Sequence, residues 1–108
     1  MKAWEIWTAD IDGEHPVVLI SHQDRIDHKD RIVVLQCRTM RPGYERQPKP
    51  NEVVLDQADG LDWKTLCRCD LLYTKEKADI KQARGIVCQE RRRAMARKII
   101  QGLALADL

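Results

Sequence analysis

The sequence has no phenylalanine, and aromatic residues make up only 5% of its 108 positions. A core must therefore come from aliphatic side chains, with three tryptophans as the large exceptions. Long apolar runs are also missing. No stretch approaches the ~18 residues that cross a bilayer as a helix, which excludes a membrane-spanning helix. The opening segment, MKAWEIWTADIDGEH, meets acidic residues before any apolar run develops and does not read as a secretory signal. The five glycines are scattered at 13, 43, 60, 85 and 102, so there is no phosphate-cradling glycine loop. Neither a G-x-S-x-G elbow nor an H-E-x-x-H helix is present. With 44% hydrophobic residues the chain lies outside the disordered regime. The expectation is one soluble domain over residues 1–108, residing in the cytoplasm.

A dominant charge of one sign is lacking too, since the formal net charge is only +2. That total hides an asymmetry. Residues 38–49 carry Arg38, Arg41, Arg46 and Lys49 against the single acid Glu45, and RRRAMARK at 91–98 has no acid at all. Local patches of this kind, not the sum, attract phosphates. The bland alternative for each is a solvated basic face.

Cys37, Cys67, Cys69 and Cys88 form no compact pair of ligand motifs, and the histidines at 15, 22 and 28 stand far from the C-x-C of Cys67 and Cys69. Buried free thiols are the expectation, with no metal and no cofactor. A zinc or redox role for Cys67 and Cys69 is the competing reading.

Along the chain, Trp4–Ile11 is rich in strand formers, and Asp12-Gly13 signals a turn. Pro16–Ser21 (PVVLIS) is a continuous apolar run of the buried-strand kind, with Pro16 at its start where a missing N–H is tolerated. The polar segment His22–Asp30 predicts a loop or short helical turn, and Arg31–Thr39 a third strand. Three prolines and a glycine make Met40–Pro50 a loop. Asn51–Asp56 and Trp63–Leu72 read as further strands, Thr74–Lys81 as a polar connection, and Ala83–Val87 as one more short strand. From Gln89 to Ala106 the period becomes helical: Met95, Ile99, Ile100 and Leu103 form a stripe suited to core contact, with a basic side left for solvent. The predicted class is mainly β with some α: a small, curved antiparallel sheet or barrel with a C-terminal helix.

The order EIWTADI, HPVVLIS, IVVLQCRT, NEVVLD, CDLLYTKEKADI and a final helix resembles the MazF/PemK family of toxins over roughly residues 4–105. The resemblance implies an SH3-like barrel with a C-terminal helix, a homodimer, and metal-independent cleavage of single-stranded RNA. It also implies a small acidic antitoxin whose tail occupies the RNA groove. Where the family has an arginine before the proline of the second strand, this chain has His15. The family threonine at the end of the third strand falls on Arg38 in one register and on Thr39 in the next. Asp70 is retained, but the glutamine and basic residue after it correspond to Leu71 or Leu72 and Tyr73.

Cleavage of RNA by its own 2′-hydroxyl needs a proton acceptor, a proton for the leaving oxygen, and donors around the phosphorane. On the resemblance, the catalytic candidates are His15 for proton transfer, with Arg38 and Thr39 holding the phosphoryl oxygens. Arg41, Arg46 and Lys49 are candidates for the RNA backbone, and Tyr44 for stacking on a base. Plainer roles stand beside these: a surface histidine, an Arg38–Asp70 ion pair, a loop tyrosine, and tryptophans that serve packing alone. The altered positions also admit a second function, a barrel without catalysis that binds nucleic acid or a peptide.

Overall fold

A computed structural model describes all of residues 1–108. Its elements run in the order β1 (Glu5–Asp10), β2 (Glu14–Leu19), α1 (Gln23–His28), β3 (Arg31–Thr39), β4 (Glu52–Leu55), β5 (Thr65–Glu76), β6 (Ile80–Ile86) and α2 (Gln89–Gln101). Short 3₁₀ turns lie at Gln57–Asp59, Lys77–Asp79 and Ala104–Asp107. The strands form one six-stranded antiparallel sheet ordered β4-β5-β3-β2-β1-β6. The expected mainly-β class with a C-terminal helix is borne out. The sheet is not closed: β4 and β6 remain edges with no pairing between them.

The β1–β2 hairpin turns where Asp12-Gly13 predicts it, with both residues at positive φ (51° and 111°). That backbone matches the right-handed twist of the flanking strands, and Asp10 accepts from the Gly13 N–H at 2.9 Å. The polar stretch after β2 forms α1, capped by the His22 ring, which accepts from Asp24 N–H.

The apolar residues divide between two clusters. Ile6, Val18, Leu35, Cys37, Leu55, Cys67, Cys69, Val87 and Met95 form one, against which Trp4 and Trp63 pack. Ala9, Val17, Leu19, Ile26, Ile32, Val34 and Ile80 form the other, with Trp7 beside it. Successive residues of β2 and β3 therefore bury on opposite faces, as their unbroken apolar runs predict. The tryptophans pack, as their plainer reading has it, but Trp63 also lines a groove.

Several expectations need correcting. The fifth strand continues through Tyr73 and Thr74 to Glu76, because Arg31–Val34 of β3 supply its partners. The sixth begins at Ile80, three residues before Ala83. The helix ends at Gln101, and its stripe is only half buried: Met95 and Ile99 meet the core, while Ile100 and Leu103 stay exposed.

The basic side of α2 is not simply solvent-facing either. Arg91 bonds Asp56 at 2.7 Å and also reaches Asp59, a fully buried acid whose other oxygen accepts from Cys88 N–H at 2.9 Å. Arg92 donates to the Val87 carbonyl and Lys98 to that of Pro50. This clamp ties the 3₁₀ turn at Gln57–Asp59 to the start of α2. Gly85 makes it possible: a Cβ there would lie 2.2 Å from the Asp59 carbonyl oxygen. No helix is long and apolar enough to cross a membrane.

Candidate active-site groove

Strand β3 changes partners along its length. Its middle is flanked on both sides, by β2 through Leu19–Val34, Val18–Leu35 and Val17–Gln36, and by β5. A bulge follows between Leu35 and Cys37. Beyond it β3 keeps only β5, matching Cys37 to Cys67, Arg38 to Leu66 and Thr39 to Thr65. Strand β2, for its part, pairs Pro16 with Thr8, His15 with Ala9 and Glu14 with Asp10 on β1. Pro16 has no N–H to offer across to β3, which favours the parting of the two strands. Bulges commonly redirect side chains in this way.

A groove of about 690 Å³ opens where the strands diverge. Glu14, His15 and Pro16 form one wall, and Arg38, Thr39 and Met40 the other. Arg41, Tyr44 and Arg46 enter from the following loop, with Leu66 of β5 behind them. Of the catalytic and RNA-binding candidates named from the sequence, all except Lys49 line this groove. The register choice between Arg38 and Thr39 dissolves here. Both are exposed at the free end of a strand, so both meet the groove.

The cations are not equivalent. Arg46 is bidentate to Glu52, at 2.7 and 2.9 Å, and the backbone N–H of Lys49 donates to the same carboxylate at 2.8 Å. The Arg46 guanidinium holds Glu52 well below the usual carboxylate range, at about 2, and Glu52 in turn raises Arg46. This buried carboxylate pins the loop after β3. Arg46 is therefore an anchor whose fork is already engaged, and Lys49 contributes through its backbone outside the groove. Arg38 and Arg41 take part in none of the ion pairs of the molecule. The proposed Arg38–Asp70 pair is absent, since Asp70 accepts from Asn51 Nδ2 at 2.7 Å. Tyr44 is 81% exposed, with its ring free to meet a planar ligand.

A second lobe of about 320 Å³ shares Glu14, His15, Pro16 and Thr39 with the first, and is closed by Thr8, Trp63 and Arg84. The sequence holds no sign of Thr8, Arg84 or Glu14 in the site, and it favours packing for Trp63 over a role as a base platform. Thr8 and Arg84 lie on β1 and β6, strands that meet only through a pairing distant in sequence. Nothing local to either residue announces the lobe.

Cys67 and Cys69 point away from all this, into the core with Cys37. The neighbouring Cys37 and Cys69 thiols, together with burial, push the Cys67 thiol well above its ordinary range. That keeps it protonated, the inert form. No three His, Cys, Asp or Glu side chains are placed together to hold a metal ion.

Neither a protein-family model nor a curated protein matches the sequence. Solved structures do match the fold. The chain is similar to the Mycobacterium tuberculosis toxin MazF-mt6, with 21% identity, a TM-score of 0.78, and 91% of this chain and 94% of that one covered. It is also similar to an endoribonuclease in complex with its cognate antitoxin from a mycobacterial species, at 19% identity and a TM-score of 0.81 over 97% and 96% of the two chains. A MazE–MazF structure from Deinococcus radiodurans aligns at 11% identity with a TM-score of 0.73, covering 94% and 92%. At these identities the likeness establishes the fold, which is that of the MazF toxins.

Proposed function

We propose that the protein is a MazF-type endoribonuclease toxin that cleaves single-stranded RNA without a metal ion. The observation that carries this reading is the meeting of His15, Arg38 and Thr39 in one groove on a MazF fold. In the reaction, the RNA 2′-oxygen attacks the adjacent phosphorus while the bond to the 5′-oxygen breaks. The products are a 2′,3′-cyclic phosphate and a free 5′-hydroxyl. His15 takes the 2′ proton, and the leaving oxygen gains one from the imidazolium or from water. Arg38 and the Thr39 hydroxyl donate to the non-bridging oxygens as charge builds on them. Arg41 steers the backbone into the groove, and Tyr44 offers a face to a base.

The similarity to an endoribonuclease bound to its cognate antitoxin and to a MazE–MazF structure supports an antitoxin as partner. A small acidic character for that partner, a homodimer as the working form, and action in the cytoplasm belong to the same proposal. The groove cations Arg38 and Arg41 suit an acidic tail for the same reason that they suit phosphate.

Incubation of folded protein with single-stranded RNA in EDTA tests the reading. Cleavage is expected, with cyclic phosphate ends and a loss of about 10²- to 10⁴-fold in His15→Ala. Intact RNA, or undiminished cleavage by His15→Ala, overturns the catalytic assignment. One observation favours a second reading: the proton-transfer position carries His15, where the resembled family has arginine. A barrel that binds RNA or a peptide without cleaving it would show affinity and no products in the same assay.

A further inference from the structure

The edge strand β6 is irregular. Its pairing with β1 slips twice, between Ile6 and Trp7 and again between Trp7 and Thr8. The two bulges leave Gln82 and Arg84 without partners in the ladder, and Gln82 adopts φ 58°, a conformation that side-chain-bearing residues rarely take. The outcome is the placement of Arg84. Its Nε donates to Thr8 Oγ1 at 3.0 Å, and its guanidinium carbon lies 5.4 Å from the centre of the Trp63 ring. Trp63 Nε1 is buried with no hydrogen-bond partner, so packing and the overlying cation hold the ring. No carboxylate pairs with Arg84.

We propose that Arg84 and Trp63 form a second subsite in which the RNA nucleotide neighbouring the reacting phosphate is held by its own phosphate and base. This rests on the reading of the protein as an RNA-cleaving enzyme. The lobe is continuous with the groove, because His15 and Thr39 face both. A strand of RNA lying across His15 therefore runs into it. The guanidinium is fixed from two sides while its terminal N–H groups stay free, the arrangement that suits a phosphate fork. The Trp63 ring lies beneath the guanidinium and holds it flat, so the outer, exposed face of Arg84 is the plane on which a base stacks while its edge meets the phosphate. A nucleotide presents both an anion and a flat ring, whereas an acidic peptide side chain presents only the anion. The pairing of Arg84 with Trp63 thus favours RNA.

Binding of a short, mixed-sequence single-stranded 2′-fluoro RNA, which cannot react for want of a 2′-hydroxyl, separates the outcomes. Affinity is measured across a salt series for the intact protein and for Arg84→Ala, with thermal melts to confirm folding; Arg84→Gln replaces it if the alanine variant fails to fold. Arg84→Ala is expected to bind about tenfold more weakly, with a salt slope shallower by about 0.7, the value of one phosphate on a single strand. Arg84→Lys should recover the slope and only part of the affinity. Unchanged affinity and slope in Arg84→Ala, alongside losses in Arg38→Ala and Arg41→Ala, overturn this subsite and leave the RNA reading standing. Failure of the unaltered protein to bind overturns both. A loss confined to binding of poly-L-glutamate assigns the lobe to an acidic chain and likewise overturns the proposal.

Discussion

Arg46 grips Glu52 with both terminal nitrogens, at 2.7 and 2.9 Å, across a carboxylate that is almost wholly buried. The pair fastens the loop carrying Arg41 and Tyr44 to the first residue of β4, and so sets the far wall of the groove. Removing the acid should free that loop. Glu52→Gln is expected to raise limited-proteolysis rates within residues 40–51 and to weaken RNA binding indirectly. Arg46→Ala should do the same, with less change in the salt slope than Arg41→Ala produces, since the Arg46 fork is already occupied.

The same pair gives stability a defined pH dependence. The folded-state value of Glu52 lies at about 2, below the ordinary 4.5. Its contribution is therefore complete above about 4.5 and is lost as pH falls toward 2. Asp56, lowered by Arg91, adds in the same direction. Acid titration of unfolding should show the intact protein losing stability through this window. Glu52→Gln should be less stable at neutral pH, and its curve flatter below about pH 4.5.

Within the groove, Arg38 and Arg41 should separate kinetically. Arg38 sits on the strand end beside Thr39, where the proposed reaction would build charge, so Arg38→Ala is expected to reduce kcat by about 10²- to 10³-fold. Arg41 lies on the loop, and Arg41→Ala should raise KM with little change in kcat. Steady-state cleavage of a fluorogenic RNA reads both parameters.

Gly85 carries a purely steric demand. An added methyl would meet the Asp59 carbonyl oxygen at 2.2 Å. Either the 3₁₀ turn moves, breaking the Arg91 clamp, or β6 shifts away from β1. Gly85→Ala should cost about 1–3 kcal/mol in urea denaturation. Met95, fully buried where α2 meets the core, should cost about 2–5 kcal/mol when replaced by alanine.

The parts of the fold legible in the sequence are those whose signal is local. Apolar runs such as VVLI in β2 and IVVL in β3, the Asp12-Gly13 turn, and the helical spacing of Met95 and Ile99 each state their own structure. The end of β5 does not. Thr74, Lys75 and Glu76 are polar, and only pairing to the remote Val33, Ile32 and Arg31 makes them a strand. In β6 the two bulges erase the alternation that would announce a strand, which is why its first residues read as a connection. The groove follows the same rule. His15, Arg38 and Thr39 were found because adjacent motifs bracket them, whereas Thr8, Trp63 and Arg84 converge only through three-dimensional pairing. The basic stretch at 91–98 misled in the other direction, since charge in a sequence does not reveal that Asp56 and Asp59 wait opposite Arg91.

The divergence of β2 from β3 separates what holds the molecule together from what it does. His15, Arg38 and Thr39 project from strand ends that the hydrophobic clusters do not need, while Val18, Leu35 and Cys67 are sealed a few residues away. Substitutions at the opening can therefore accumulate without loss of folding. A chain of this shape can vary the side chains at its opening while its backbone stays superimposable on solved structures with which it shares about a fifth of its aligned residues.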